Sequence, residues 1–193
     1  MTEENKNRLP PGQVLTDKFP VLQKGEIPHV NRDTYVLEIS GAVENPVKLN
    51  LNELGNMIDA RITADIHCVT TWSKFDTKWS GIYFRSILKL VKPKDNVSFV
   101  EFTGADFDFT TTVPVETLKS ENVILALTYE NQPISDDHGG PVRAVIPDLY
   151  FYKSAKWIIK ITFFEKDRPG YWEKGGYSNK ADPWKEQRYS SDD

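Results

Sequence analysis

Short segments with apolar residues at every second position recur along this chain, and they constrain its fold more than any other feature. In TYVLEISG, Tyr35, Leu37 and Ile39 show the alternation of a half-buried strand. SAKWIIKITFFEKD predicts a last strand with four apolar side chains on one face: Trp157, Ile159, Ile161 and Phe163. Further strands are predicted in RITADIHCVT, NVSFVEFTG, FTTTVP, VILALTY and VRAVIP, whereas WSKFDTKWSG is predicted as a loop.

Two segments have the spacing of helices instead. WSGIYFRSILKLVKP contains an apolar stripe that ends before Pro93, formed by Phe84, Ile87, Leu88 and Val91. LNLNELGNM predicts a shorter helix with Leu51 and Leu54 facing inward. Because helices and strands are interspersed without a regular strand–helix–strand alternation, the sequence predicts an α+β fold with a mixed sheet. With 193 residues and 39% hydrophobic content, a single domain accounts for the folded part of the chain.

Composition divides the chain into three predicted parts. Residues 1–24 contain Pro10, Pro11 and Pro20 without a sustained period, so we expect an extended N-terminal arm over the domain surface. Residues 25–189 are expected to form the domain, with the aromatic, glycine-rich segment RPGYWEKGGYSNKADPWKEQRY packed on it as an ordered coat. Residues 190–193 are predicted to be a C-terminal tail.

Charge and hydropathy exclude two classes of partner. A net charge of −4 without a basic stripe argues against nucleic acid as a main partner. No run approaches the roughly 20 apolar residues that a membrane span requires. The first residues, MTEENKNRLPPGQ, lack the apolar core of an export signal, so the sequence predicts a cytoplasmic protein.

Cys68 is the only cysteine, which excludes an internal disulfide and any metal cluster held by several cysteines of this chain. A free cysteine often packs as a small buried hydrophobe without a function. Its neighbours favour a functional site, because the polar residues of DIHCVTTWS lie where a strand runs into a loop. A cysteine nucleophile with His67 or His138 as base is another hypothesis, although adjacent strand residues point to opposite faces.

Two later segments carry groups that suit an anion. In DDHGGPVRAVIP, two glycines after His138 allow close approach to a ligand, and Arg143 offers a planar set of donors suited to phosphate. In YKSAKW, Lys153, Ser154 and Lys156 combine two cations with a hydroxyl. The alternatives are a glycine turn with a solvated Arg143 and an ordinary basic surface turn. The residues alone leave both interpretations open.

Together, these motifs resemble the molybdopterin-binding domain of the sulfite oxidase family, in particular its short stand-alone members. The resemblance rests on segments in a fixed order: DIHCVTTWS, WSG, DDHGGPVRAVIP, YKSAKW and RPGYWEKGGYSNKADPWKEQRY. It covers about residues 25–189. It implies a sulfite-oxidase-type α+β fold in a single domain, with molybdopterin carrying molybdenum (Mo-molybdopterin) as the cofactor.

The resemblance also implies roles for individual residues. Cys68 corresponds to the one protein ligand of molybdenum, a metal that suits a soft thiolate, while the pterin dithiolene supplies other sulfurs. The expected cofactor contacts are His138, Arg143, Ser154, Lys156 and the backbone of Ala155. Thr103, at the end of VEFTG, is a further expected contact, and His67 is expected to orient the site.

The resemblance is least informative about the substrate. Phe109 stands where sulfite oxidases have a tyrosine, and IPHVNRD lacks their substrate arginine. Because phenylalanine cannot donate a hydrogen bond to an oxyanion, sulfite is expected to be a poor substrate. The family's chemistry implies two-electron oxygen-atom transfer on a small oxo-anion, sulfoxide or N-oxide, with a separate electron-transfer protein as partner. A non-catalytic pterin-binding module and a cysteine-nucleophile enzyme remain alternatives.

Overall fold

The computed structural model describes residues 7–106 and 109–193, which form two β-sheets and a few short helices. The strands are β1 (Val14–Leu15), β2 (Val36–Gly41), β3 (Val47–Asn50), β4 (Ala60–His67), β5 (Trp72–Tyr83), β6 (Phe99–Gly104), β7 (Thr110–Pro114), β8 (Ile124–Tyr129), β9 (Gln132–Pro133), β10 (Arg143–Val145) and β11 (Ile158–Phe164). The α-helices are α1 (Leu51–Asn56), α2 (Phe84–Val91), α3 (Val115–Leu118) and α4 (Tyr171–Lys174). Single 3₁₀ turns cover Asp136–His138, Phe151–Lys153, Pro183–Lys185 and Ser190–Asp192.

Both sheets are mixed. In one sheet, β4 pairs along one side of β5 while β1 and β8 pair along the other, and β8 also pairs with β10 and β9. The other sheet has the order β3-β2-β11-β6-β7, with β2 and β11 parallel. One core cluster draws on both sheets and on α2, which holds the chain together as a single unit. This is the α+β architecture that the sequence predicts.

Helix α2 follows the predicted stripe closely. Phe84, Ile87 and Val91 are fully buried, and Leu88 packs partly buried against the core. The helix ends at Val91, and the left-handed backbone of Lys92 (φ 50°) stops it before Pro93. A sustained period of 3.6 residues therefore located this element correctly.

The predicted loop WSKFDTKWSG is wrong, because these residues lie within the 12-residue strand β5. Its inward positions include Ser73 and Thr77, both fully buried, beside Trp79. The Thr77 hydroxyl accepts a hydrogen bond from Trp79 Nε1 over 2.8 Å and donates to the Ala64 carbonyl over 2.5 Å. Because polar residues occupy buried positions here, the alternation of hydrophobic residues that signals a strand is missing.

The prediction that Ile159 of the last strand faces inward is also wrong. The pairing of β11 with β6 is irregular between Ile158 and Lys160, so Ile159 is 38% exposed whereas Ile158 is fully buried. Beyond this irregularity, Ile161 and Phe163 face the core as predicted.

Both ends of the described chain pack on the domain. The N-terminal arm contributes β1, and Arg8 forms ion pairs with Asp65 and Asp76 at 2.6 and 2.7 Å. At the other end, an Asp193 carboxylate oxygen accepts a hydrogen bond from the Asn179 N–H over 2.9 Å. The division at residues 24 and 189 stays a prediction. Within residues 7–106 and 109–193, no helix has the length and apolar character needed to cross a bilayer.

Candidate functional site

Cys68 lies in the tight turn between β4 and β5, one residue after β4 ends at His67. Its N–H donates to the Trp72 carbonyl over 2.8 Å, and its carbonyl accepts from the Thr71 N–H over 3.0 Å. Thr71 has φ 75°, a left-handed conformation that is strained for a β-branched residue. The turn therefore has one specific backbone conformation, which fixes the direction of the Cys68 side chain.

The Cys68 side chain lines a cavity of about 290 Å³, although the residue is only 8% exposed. Its Sγ lies 3.1 Å from Thr70 Oγ1. Burial raises the pKa of the thiol above its usual value, with hydrogen bonding to Thr70 opposing the shift. The cysteine is therefore protonated near neutral pH unless a bound metal displaces the proton.

This cavity brings together residues from three separate segments of the sequence. The expected site residues that line it are Cys68, His138, Arg143, Ser154, Ala155 and Lys156. They lie in the β4–β5 turn, in the segment leading into β10 and in the segment before β11. The tertiary fold thus joins three of the five segments on which the family resemblance rests.

Thr103 and His67 lie outside the set of described residues that line the cavity. Thr103 is half-buried in β6, where it pairs with Lys160 of β11 and Thr110 of β7. His67 is buried with Nδ1 2.8 Å from Ser73 Oγ, and burial lowers its pKa. A direct cofactor contact by either residue therefore stays a prediction.

The two glycines of DDHGG pack closely against other residues of the protein. A Cβ on Gly139 would lie 2.7 Å from Cβ of Lys156, and Gly139 has φ 97°. Gly140 packs still more tightly, because a Cβ there would lie 2.1 Å from the carbonyl oxygen of Ile134. The Gly139 carbonyl also accepts from the Trp157 N–H over 3.0 Å. Gly139 therefore brings two of the motifs into contact, and a close approach of these glycines to a ligand stays a prediction.

Arg143 is buried, which corrects the alternative of a solvated side chain. It is 2% exposed, and its guanidinium donates to the carbonyls of His138, Ser154 and Ala144 over 2.7, 3.0 and 3.3 Å. It also packs 4.3 Å from the Phe151 ring. Burial lowers its pKa to about 9. Three of five N–H groups are used, and within the described chain no carboxylate pairs with this cation.

Lys156 is the second cation at the cavity. Its Nζ donates to the Asp137 carbonyl over 3.2 Å and lies 4.1 Å from the Trp157 ring centroid. Burial, together with the nearby Arg143 charge, lowers the pKa of this amine to about 7. Lys156 has no carboxylate partner among the residues that the structure describes. Two such cations at one cavity favour an anionic ligand.

Lys153, the other lysine of YKSAKW, serves a different purpose. It is fully buried, and its Nζ donates to Glu173 Oε1 over 2.6 Å and to the Thr112 carbonyl over 3.0 Å. It connects the 3₁₀ turn at Phe151–Lys153 to α4 and β7 behind the cavity. The motif therefore divides into one structural lysine and one at the site.

Two polar groups at the cavity escaped the sequence analysis. Asp106, just after β6, lines the cavity, and burial raises the pKa of its carboxyl group to about 6. Its Oδ1 and the Nε1 of Trp72 are buried without a hydrogen-bond partner in the described structure. A carboxylate directly after a strand end was the available signal for Asp106.

The N-terminal arm also forms part of the cavity, which the sequence did not predict. Phe19 stacks on the His138 ring with centroids 3.9 Å apart and an angle of 8° between the planes. Pro20, Leu22 and Lys24 line the same cavity. The only aromatic residue of the arm, beside a proline, was the available sequence signal.

A family model described as the oxidoreductase molybdopterin binding domain matches residues 24–172. The chain belongs to this family. Membership confirms the prediction from the motifs, and it makes the chain a molybdopterin-dependent oxidoreductase with Mo-molybdopterin as its cofactor. The non-catalytic and cysteine-nucleophile alternatives find no comparable support.

Similar proteins differ in length, and this chain covers from nearly all to about a third of each of the three described below. Uncharacterized oxidoreductase YuiH of Bacillus subtilis is 35% identical, over 98% of this chain and 96% of YuiH. Putative protein-methionine-sulfoxide reductase subunit YedZ1 of Azospira oryzae is 30% identical, over 87% of this chain and 64% of that protein. Mitochondrial sulfite oxidase of Drosophila melanogaster is 28% identical, over 78% of this chain and 31% of that protein.

A solved structure shares the fold. The sulfane dehydrogenase SoxCD from Paracoccus pantotrophus superimposes with a TM-score of 0.66 at 20% identity, covering 72% of this chain and 40% of the SoxCD chain. The likeness confirms the predicted α+β fold class.

The donor set at the cavity fits molybdopterin. Cys68 Sγ has the softness that a ligand of molybdenum needs, and Arg143 and Lys156 would supply positive charge for a terminal phosphate. Trp72 and Asp106 also line the cavity, and each has a buried polar atom without a partner in the described structure. The cavity therefore has groups whose chemistry fits the metal and the phosphate of the cofactor.

The surroundings of Cys68 do not favour its action as a nucleophile. Within the described structure neither His67 nor His138 forms a hydrogen bond with Sγ, and burial raises the thiol pKa. A cysteine nucleophile requires an adjacent base or a lowered pKa.

Proposed function

We propose that Cys68 is the one protein ligand of molybdenum, and that the chain catalyses two-electron oxygen-atom transfer on a small substrate. One observation carries the proposal. The only cysteine lines the same cavity as two cations, Arg143 and Lys156, that have no carboxylate partner in the described chain. A soft ligand and an anion site in one cavity match a cofactor that has both a metal and a phosphate.

The chain's residues would divide the work of binding. Bound molybdopterin supplies a metal whose oxidation state changes by two during the reaction. Arg143 and Lys156 would hold the phosphate, with the Ser154 hydroxyl and the Ala155 backbone beside them. The Ser154 Oγ accepts from the Ile146 N–H over 3.0 Å, so its own hydrogen is available for the cofactor. His138, held by Phe19, would contact the pterin.

Among the proposed substrate classes, a neutral sulfoxide or N-oxide fits better than a small oxo-anion. Phe109 lines the cavity and supplies no hydroxyl. His29 and Arg32 lie away from the lining and point to Asp136, at 3.2 and 3.9 Å. Neither takes the place of the missing substrate arginine. Four relatives are named as subunits of protein-methionine-sulfoxide reductases, which supports a sulfoxide substrate.

We further propose a separate electron-transfer protein as redox partner and the cytoplasm as the location. The sequence contains no flavin, haem or iron–sulfur motif of its own, so electrons would have to reach the site from outside.

The test is a direct comparison on protein made in a host that synthesises the cofactor. Molybdenum and pterin are measured first, and both are expected near one per chain. The values of kcat/KM for sulfoxide reduction with a reduced dye and for sulfite oxidation with an oxidising dye are then compared. We expect sulfoxide reduction to be at least about tenfold more efficient, since each lost charge-assisted hydrogen bond costs about 1.5–3 kcal/mol. A clear preference for sulfite would refute the substrate proposal, and cofactor without turnover would indicate a binding module.

A further inference from the structure

Gln13 joins the N-terminal arm to the turn that carries Cys68. Its Nε2 donates to the Cys68 carbonyl over 3.1 Å, and its Oε1 accepts from Ser73 Oγ over 3.1 Å. Ser73 Oγ also lies 2.8 Å from His67 Nδ1. Gln13 is 7% exposed and Ser73 is fully buried. Because both ends of this buried amide are bonded, its orientation is fixed.

The backbone of the arm supports the same turn. The Val14 N–H donates to the Thr71 carbonyl over 2.8 Å, and the Thr16 N–H donates to the Ser73 carbonyl over 2.9 Å. Thr71 is the residue with φ 75°, a conformation that persists only where its surroundings enforce it. Strand β1 therefore holds Thr71 in its strained conformation. If Thr71 relaxed, the turn would change shape and Cys68 would move.

A second brace comes from the C-terminal coat. Arg188 Nη1 donates to the Val69 carbonyl over 2.6 Å. The coat and the arm meet at Gly12, where a Cβ would lie 2.6 Å from Glu186 Oε1. The arm up to residue 23 lies outside the region that the family model matches. This bracing by the arm is thus a property of the chain beyond the matched domain.

We infer that Gln13 is a positioning residue for the Cys68 thiolate. By holding the Cys68 carbonyl, it sets the orientation of the Cα–Cβ bond and so the place of Sγ at the cavity. A metal–ligand bond tolerates only small displacements, so a loosened turn would present the thiolate poorly. The inference rests on the proposed function, because it takes Cys68 as the ligand of molybdenum.

The test variant is Gln13→Met, which keeps the length of the side chain and removes both hydrogen bonds. The Cys68 carbonyl keeps its bond from Thr71, so the fold is expected to survive. The matched control is Lys74→Met, which removes a different contact of the arm, from Lys74 Nζ to the Asp17 carbonyl at 2.7 Å. Thermal unfolding checks that both variants are folded.

The first measurement uses cofactor-free protein and does not depend on activity. The rate at which iodoacetamide alkylates Cys68 reports how firmly the turn holds the thiol. We expect Gln13→Met to raise this rate at least about tenfold, as for a site released by local unfolding, and Lys74→Met to leave it within about twofold of wild type. Equal rates in wild type and Gln13→Met, or an equal rise in the control, would overturn the inference.

The second measurement uses loaded protein. The expected result for Gln13→Met is an altered Mo(V) electron paramagnetic resonance spectrum and a lower ratio of molybdenum to pterin, with the pterin content itself unchanged. The wild-type spectrum and ratio in this variant would overturn the positioning role while leaving the proposed function intact. If wild type holds no molybdenum but Gln13→Met still accelerates alkylation, the proposed function fails and the bracing of the turn stands.

A second variant covers the case in which Gln13→Met does not fold. Gln13→Glu keeps the acceptor for Ser73 and loses only the donor to Cys68. It is judged by the spectrum and the metal ratio alone, because the added carboxylate also changes thiol reactivity. An altered spectrum supports the inference, and a wild-type spectrum overturns it.

Discussion

A thiolate and a hydroxyl differ far more as metal ligands than as packing groups, which makes Cys68→Ser an informative substitution. The serine hydroxyl keeps Thr70 Oγ1 as a hydrogen-bond partner, so the fold should be retained. The phosphate contacts at Arg143 and Lys156 are untouched, so we expect the pterin content to stay the same. A hydroxyl is a harder ligand, and dye-linked turnover should fall by roughly two orders of magnitude or more.

Turnover per bound pterin is the quantity to measure for Cys68→Ser. Thr70→Val is the control, because it removes the neighbour of Sγ and leaves the thiol in place. Full activity of Cys68→Ser would show that the metal has another protein ligand.

Lys156→Met tests the anion site without the structural damage that removal of Arg143 would cause. Methionine keeps packing against the Trp157 ring and removes the charge. Losing one charge-assisted contact of about 1.5–3 kcal/mol corresponds to an affinity for molybdopterin about 10–100-fold lower. The measurement is pterin retained after dialysis, with the exposed Lys89→Met as control. Unchanged retention would place the phosphate elsewhere.

The sequence revealed those site residues that carry their chemistry in a local motif. Cys68, Arg143 and Lys156 belong to short segments whose residue types already suit a metal or an anion. Asp106 and Phe19 do not, because an aspartate after a strand and a phenylalanine in an arm are ordinary in isolation. Their place at the cavity arises only when distant segments meet, and that proximity leaves no mark on the local sequence.

Among the secondary-structure elements, α4 and the 3₁₀ turn at Phe151–Lys153 depend on one buried ion pair. Burial lowers the pKa of Lys153, and Glu173 opposes that shift. Glu173→Ala would leave the ammonium group buried without its partner, and we expect a loss of about 3–5 kcal/mol in the free energy of unfolding. The double variant Lys153→Met/Glu173→Leu should recover most of this loss, because no buried charge remains.

Urea denaturation of cofactor-free protein measures both variants of the Lys153–Glu173 pair. If the single and the double variant are equally unstable, the loss of stability comes from altered packing, and the proposed role of the buried ion pair is wrong.

Elements were predictable where buried positions are apolar. Helix α2 was found because Phe84, Ile87 and Val91 follow the helical period, whereas β5 was missed because Ser73 and Thr77 point inward. In β5, buried hydroxyl groups form hydrogen bonds where other strands have apolar side chains, so the alternation of apolar residues that predicts a strand is absent. These inward hydroxyls lie next to the Cys68 turn, and one of them, Ser73, also bonds the arm.

For the molecule as a whole, Lys156 predicts an unusual dependence of stability on pH. Its pKa is about 7 in the folded chain and about 10.5 when unfolded. Between these values the unfolded state binds more protons, so stability should rise with pH, and the penalty of burying the charge is complete only below pH 7. We expect the Tm of cofactor-free protein to increase from pH 7 to 8.5, and Lys156→Met to lack most of this rise.

Other shifted groups at the cavity act outside the range from pH 7 to 8.5. Asp106, with a pKa raised to about 6, destabilises the fold as pH rises from 3.8 to 6, and Arg143, lowered to about 9, acts above pH 9. Identical profiles for wild type and Lys156→Met would show that this amine is not desolvated.

The position of the arm has a consequence for the order of events during synthesis. The residues around Gly12 emerge from the ribosome early, yet the groups they contact, β5 and Glu186, are made much later. Until those partners have been synthesised, Phe19 and its neighbours cannot pack on the domain and form their wall of the cavity. A nascent chain therefore cannot close this side of the cavity until His138 and Glu186 have also been made.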